Sequence, residues 1–433
     1  MNDKKEIVRV FSTKIFYSGM GLITGIIVAR ILGPEGKGEY TMALLLASMT
    51  VSLGSLNIGE SAIYFLNRRR ADLGTILCTD GVFIIFSSTA YIFILLLLWK
   101  FGFLPWGELN QKNILFFVCL YIPVIFLQIH NVDLLRATRQ FSLYNLILVI
   151  QPLTYLLFLL FLVVHWEKGV AGALAAGLGA YFLTALIGWG SLVRFPKVMF
   201  RWDGAYLKDL LFYSIKGHLG NIAQKFNLRL DQFFISPWWG AAALGQYSVA
   251  VVLTELIWYV PDSIGIITLP RLASFNRTEA ALLTVRCLKV TALLTLFLAF
   301  SMAILVRPAI LLLYGSPFEP AVYAVWLLLP GIVAMGFSKI LSKYFSGIGR
   351  PEINSATSLV SVIITVILCP PLISRFGFLG AAVASSSAYT IRMLLDVVLF
   401  LRSTHLSPAV LVAIRLEEWR DIMAMLPFVK SSR

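Results

Sequence analysis

The sequence predicts an all-α polytopic membrane protein of about 12 transmembrane helices, arranged as two related six-helix halves. Three observations predict it: apolar runs recur from end to end, basic residues crowd alternate gaps, and a repeat returns after 207 residues. Of 433 residues, 59% are hydrophobic and 13% charged, where a soluble chain carries roughly 25% charged. Mean hydropathy is +0.84, and no stretch is left for a large soluble domain. The net charge of +14 would suit nucleic acid, but the Lys and Arg lie in short gaps rather than on one soluble face. No nucleic-acid partner is expected.

The candidate spans run roughly from 10–32, 41–66, 76–99, 114–135, 143–164 and 169–193 in the first half. In the second they cover roughly 209–236, 246–269, 281–306, 320–346, 353–374 and 377–402. The N-terminal stretch MNDKKEIVRV lacks the short apolar core and cleavage site of a signal peptide, so the first run reads as a retained helix. One set of gaps carries roughly twenty basic residues, among them Arg68, Arg69, Arg70, Arg194, Lys197 and Arg201, whereas the other set carries about five. Both termini are therefore expected on the cytoplasmic side of the cytoplasmic (inner) cell membrane. The outer loops are short. Beyond residue 402, Ser407-Pro408 reads as a helix start, and Leu416, Trp419, Met423 and Leu426 recur at spacings of three and four. Residues 403–433 are thus expected to form an amphipathic tail helix along the cytoplasmic interface. Cys78, Cys119, Cys287 and Cys369 show no CxxC pairing and read as small packing residues, so neither disulfides nor a metal site is expected.

The repeat sets the domain division. GPEGKGEYTMA from Gly33 matches GAAALGQYSVA from Gly240, pairing Gly38 with Gly245, Tyr40 with Tyr247 and Ala43 with Ala250. GVAGA from Gly169 matches GFLGA from Gly377, and Ala180-Tyr181 then meets Ala388-Tyr389. Six spans per half is an even number, so the halves share one orientation and should be related by an axis along the membrane normal. The expected bundles are 1–205 and 206–402.

Charges inside the spans mark the candidate site. The seventh span, YSIKGHLGNIAQKFNLRLDQFF, is the least lipid-like. At about 100° per residue, His218, Asn221, Lys225, Arg229 and Gln232 fall within roughly 80° of each other. Turned toward lipid, Lys225 and Arg229 would cost about 5–7 kcal/mol together, so the stripe must face protein or water. Two readings stand: salt bridges to acids on neighbouring helices, or a cavity wall that holds a diphosphate through the guanidinium fork and the lysine point charge. At the repeat offset, Ser48, Ser52 and Ser55 correspond to Glu255, Tyr259 and Asp262, each trio marking one helix face. Lys14 and Ser18 correspond to Asn221 and Lys225, while Gly21 and Gly25 give the GxxxG spacing of close helix packing. Glu255 and Asp262 would pair with Lys225 and Arg229, or bind a coupling proton or sodium ion. Lys339 and Lys343, on one face with Ser342 and Ser346, would guide a headgroup or snorkel. Arg392 and Asp396, four apart, should bridge. Asp231, His130, His165 and His405 are read as interfacial. Pro261, between Glu255 and Asp262, should bend its helix.

The stretch VARILGPEGKGEYTMALLLAS resembles the opening signature of the polysaccharide-biosynthesis exporters. RLDQFFISPWWGAAALGQYSVA resembles the matching signature of their second half, and YFSGIGRPEINS their tenth-to-eleventh connection. These are the O-antigen and capsule repeat-unit flippases of the multidrug/oligosaccharidyl-lipid/polysaccharide exporter superfamily. The resemblance implies two six-helix bundles around a central cavity that opens alternately to each side. It implies a polyprenyl-diphosphate-linked oligosaccharide as cargo, and association with other polysaccharide-assembly membrane proteins and with membrane lipids. It implies no cofactor. A cation-coupled small-solute or multidrug exporter shares that architecture. A membrane glycan polymerase, ligase or acyltransferase would need an acid, base or nucleophile near the interface. The chain offers no paired His and no long outer loop, and GPEGKGEY lacks the P-loop spacing, so an enzyme is not expected.

Overall fold

The structure is a computed structural model that describes residues 2–68, 70–104, 111–195 and 198–412. Its elements are α1 (Asn2–Gly54), α2 (Ile58–Asn67), α3 (Leu73–Lys100), α4 (Gln111–Ala137), α5 (Phe141–Leu159), α6 (Gly169–Val193) and α7 (Gly204–Asn227). They continue with α8 (Leu230–Glu255), α9 (Tyr259–Ser274), α10 (Arg277–Leu313), α11 (Ala321–Gly347), α12 (Glu352–Phe376), α13 (Phe378–Thr404) and the short α14 (Ala409–Val412). A π-helical turn, Leu160–His165, closes α5, and a 3-10 turn, Leu256–Trp258, joins α8 to α9. Among the described residues there is no strand. The expected tail helix lies outside the described residues from position 413 on.

Among the described residues, ten helical stretches are long and apolar enough to cross a membrane. Two of them, Ser12–Gly54 and Leu230–Ser274, are 43 and 45 residues long, and each takes in parts of two expected spans. The first is interrupted at Gly33 (φ 66) and the second at Gly240 (φ 74), in a backbone region that side chains with a Cβ avoid. The two glycines are the first residues of the repeat motif. The second motif behaves alike, with Gly169 at φ 56 and Gly377 at φ 62 opening α6 and α13. The repeat is therefore written into the backbone as well as the sequence.

The helices sort into two compact units. The first comprises 1–229, 235–248 and 313–317; the second comprises 230–234, 249–312 and 318–433. The seventh helix, α7, packs in the first unit, on α1, α2 and α3. Within that unit the two motif segments cross. A Cβ at Gly38 would overlap the carbonyl oxygen of Ala241, and one at Gly245 would overlap that of Pro34. Those contacts exchange under the 207-residue offset, so the crossing is locally two-fold, and glycine is needed on both sides of it. In each unit large apolar side chains point outward, such as Phe86 at 73% and Phe300 at 70% exposure. That is an acyl-chain surface, not a water surface.

Several expectations change here. The seventh span is not one helix: it stops at Asn227 and resumes at Leu230. At the break, the N–H groups of Leu228 and Arg229 donate to Lys225 and Phe226, a tightened final turn that ends the α7 ladder. Gly21 and Gly25 meet nothing within 4 Å of a built Cβ, so the GxxxG stripe is not a close-packing face. Asp231 and His130 are not interfacial: they are 2% and 1% exposed. The Arg392–Asp396 bridge is present at 3.7 Å, fully buried in the second unit.

Candidate functional site

In the first unit the charges collect around the C-terminal half of α7. Asp203 starts this helix, its carboxylate accepting from the N–H groups of Ala205 and Tyr206 at 2.9 and 3.0 Å. Ser214 then donates to Ser61 Oγ at 2.7 Å, and the His218 ring nitrogen Nε2 lies 3.2 Å from the Leu53 carbonyl. These contacts fix α7 on α1 and α2. Asn221 is half-buried, and Lys225 is exposed on the following turn. Two carboxylates act on its ammonium, Glu60 of α2 and Asp133 of α4. Glu60 also accepts from Asn57 Nδ2 at 2.7 Å, and Asp133 is ion-paired with Arg136 while lying against Gly59. Arg229 occupies the break after α7, its Nη1 donating to the Leu228 carbonyl at 3.0 Å.

The stripe is thus divided. His218, Asn221 and Lys225 stay on α7, Arg229 sits in the turn, and Gln232 is buried in the second unit. Lys14 on α1 is exposed and Ser18 half-buried. The Ser48 and Ser52 hydroxyls are turned onto their own helix, donating to Leu45 O at 3.1 Å and Ser48 O at 2.8 Å. The sequence reading missed Glu60 and Asp133. Glu60 falls inside what reads as an unbroken span, and Asp133 reads as the edge of a basic loop; only packing brings both within electrostatic reach of Lys225.

The first unit also encloses a cavity of about 190 Å³, lined by Tyr17, Tyr40, Tyr121, Gln151, Tyr155 and Tyr181 among others. Tyr155 donates to the Tyr40 hydroxyl at 2.7 Å and Tyr121 to Leu174 O at 2.8 Å, while Tyr181 bonds with both Tyr17 and Gln151. Its side-chain polar groups are phenols, an amide and the Thr24 hydroxyl, hydrogen-bonded to one another or to backbone carbonyls.

In the second unit Lys339 of α11 donates to both oxygens of Asp262 at 2.9 and 2.8 Å, with its ammonium 4.9 Å from the centre of the Trp258 ring. Trp258 is itself fixed by donation to Ile332 O at 3.0 Å. The pair corrects the expected partners of Asp262: the acid on α9 meets the helix packed against it, α11, rather than Lys225 or Arg229. It equally redefines Lys339, whose charge is taken up inside the unit. Lys343 lays its stem against Gly265, and Glu255 ends α8. Asp231 accepts from Ser385 at 2.7 Å.

Residues 4–275, more than half of the chain, match the family described as polysaccharide biosynthesis protein. The chain belongs to that family. Residues 218–371 also match the MatE family. A Shigella flexneri protein provisionally named an O-antigen transporter is 22% identical over 417 residues, 86% of this chain and 90% of that one. Among solved structures, the lipid II flippase MurJ in an inward closed conformation superposes with a TM-score of 0.78 at 15% identity, covering 98% of this chain and 93% of that one. An inward-facing MATE multidrug resistance transporter gives 0.73 at 14% identity, covering 95% and 100%. At such identities the likeness shows the fold. The polysaccharide biosynthesis family member is a multi-pass helical protein with the fold of these two structures.

Proposed function

We propose that the chain is a flippase moving a polyprenyl-diphosphate-linked oligosaccharide from the cytoplasmic to the outer leaflet by alternating access, for cell-surface polysaccharide synthesis. The observation that carries this reading is Lys225, an exposed ammonium in the last turn of α7, at the far end of that helix from its Asp203 cap. Such a charge needs water or an anion beside it. Arg229 follows in the open turn and suits the same diphosphate. Glu60 and Asp133 hold Lys225 while no cargo is bound and yield it when the stronger anion arrives. His218 and Asn221 extend the wall, with Lys14, Ser18, Ser48 and Ser52 on α1 facing the cargo in the course of transport. The basic-residue asymmetry supports an inner-membrane location with both termini in the cytoplasm, and the repeat supports halves at 1–205 and 206–402.

A strain lacking the gene tests the reading. Polyprenyl-linked sugar units should accumulate on the cytoplasmic face and surface polysaccharide should be lost; normal export would refute it. The MatE match over residues 218–371 favours a second reading, a cation-coupled exporter of small solutes, in which Asp262 or Glu255 takes the coupling ion. In that case the deletion strain exports its polysaccharide normally and gains sensitivity to a cationic dye.

A further inference from the structure

A second polar cluster lies in the first unit, toward the end of the bundle where α3 begins, α4 finishes and α7 starts. Asp80 of α3 has no solvent exposure, and His130 of α4 is 1% exposed. His130 Nε2 lies 3.4 Å from Asp80 Oδ2, and the Tyr206 hydroxyl of α7 donates to the same oxygen at 3.4 Å. Asp80 Oδ1 and both ring nitrogens of His130 are buried without a hydrogen-bond partner in the protein. One residue before Asp80, the Thr79 hydroxyl accepts from the backbone N–H of Asp203, the N-cap of α7, at 3.1 Å. The start of α7 is therefore fastened to α3 at two adjacent residues. The titratable groups facing the Asp80 carboxylate are His130 from α4 and Tyr206 from α7; α2 supplies the ring of Phe65, 5.5 Å from that of Tyr206. Asp133, one turn beyond His130, is engaged with Arg136.

We propose that Asp80, His130 and Tyr206 form a binding site for one proton, and that its occupancy holds the start of α7 against α3 and α4. With a neutral imidazole and an ionised carboxylate, the cluster would bury one whole negative charge whose hydrogen-bond donor among the described residues is the long Tyr206 phenol contact. Burial of a charge is tolerated when it is paired and fully hydrogen-bonded, and this one is neither. One added proton, on the carboxyl or on the imidazole, makes the pair neutral in either form. Losing that proton to water restores the bare charge, and the carboxylate regains hydration when the Tyr206 end of α7 moves off. Because α7 also carries Lys225, protonation at one end of the helix sets the freedom of the other. The site does not depend on the identity of the cargo.

The test uses the full chain in lipid vesicles, with its four native cysteines replaced and spin labels at Arg139 and Lys208, both exposed at this end of the unit. Between about pH 5 and 9 the wild-type pair should pass from one short distance to a mixture with a longer one, spanning the range in which coupled histidine–carboxyl pairs titrate. Infrared spectra of the same samples should show a protonated-carboxyl band that fades over the same interval and is missing in Asp80→Asn. Asp80→Asn, neutral at every pH, should keep the short distance throughout. A wild-type distance that ignores pH, or an Asp80→Asn response equal to that of the wild type, overturns the proposal. If Asp80→Asn does not accumulate, His130→Asn decides: its midpoint must move, and an unchanged midpoint overturns the proposal equally.

Discussion

The two units treat Lys225 and Lys339 differently. In the first, Lys225 is exposed and shares two acids, one of them already committed to Arg136. In the second, Lys339 is 19% exposed and closed onto both oxygens of a single acid, with an indole ring beside it. A charge held loosely by distributed partners can be handed to an incoming anion at small cost, because no well-formed pair must break. A bidentate pair resists that exchange and ties two helices together. The contrast supports the proposed cargo contact at Lys225 and sets the Lys339–Asp262 pair apart as a helix fastening.

The sharpest way to break this comparison is Lys225→Ala. Removing a charge-assisted contact to a diphosphate should cost about 2–5 kcal/mol, a loss of transport of at least roughly 30-fold, with protein levels unchanged. Complementation of the deletion strain checks it, and wild-type activity would dismiss the assignment. Lys339→Met should instead lower thermal stability, by about 1 kcal/mol since Asp262 is 48% exposed and screened. The double variant with Asp262→Asn should recover most of that loss; a melting series in detergent gives the coupling. Pro261→Ala comes next. Proline offers no N–H to the carbonyl of Ile257, and the 3-10 turn Leu256–Trp258 ends three residues before it, at the start of α9. Restoring the N–H should extend α9 backward and slow transport several-fold while leaving the Lys339–Asp262 pair intact; unchanged transport removes the idea that this bend serves switching.

The smallest effect concerns neither lysine and serves as a control outside the membrane. Asp72 caps α3 by accepting from Thr75 N at 2.8 Å, and those backbone donors hold its carboxyl below the usual range. A lowered folded value means the stabilisation is present above the unfolded value, near 3.9, and is lost as pH falls through the folded one. Asp72→Ala should therefore cost about 1 kcal/mol near neutrality, with the difference shrinking below about pH 4. A destabilisation independent of pH would show that the cap acts without its charge.

Much of the architecture was legible because lipid imposes a strong constraint. Every backbone polar group in a bilayer must be satisfied within its own segment, so long apolar runs have one outcome. The repeat could be read because Gly33 and Gly240 each hold a positive φ, and Gly38 and Gly245 each admit a carbonyl that any Cβ would exclude. The site was only half legible. A helical wheel places His218, Asn221 and Lys225 together, since they share one unbroken helix. It fails for Arg229 and Gln232, because the wheel assumes a ladder that ends at Asn227. It cannot see that Glu60 and Asp133 act on Lys225 or that Asp80 meets His130, because those pairings join different helices.

What the amino-acid order determined is local and periodic: helices, their apolar faces, the two-fold repeat and the Arg392–Asp396 bridge four residues apart. What tertiary structure alone decided is which charge meets which. Lys339 rather than Lys225 closes on Asp262, and Asp80 meets His130 across 50 residues of chain, far beyond the reach of helical periodicity. The physical reason is that a buried ion's energy is set by groups within a few ångströms in space. Sequence spacing reports those groups only when they share one helix.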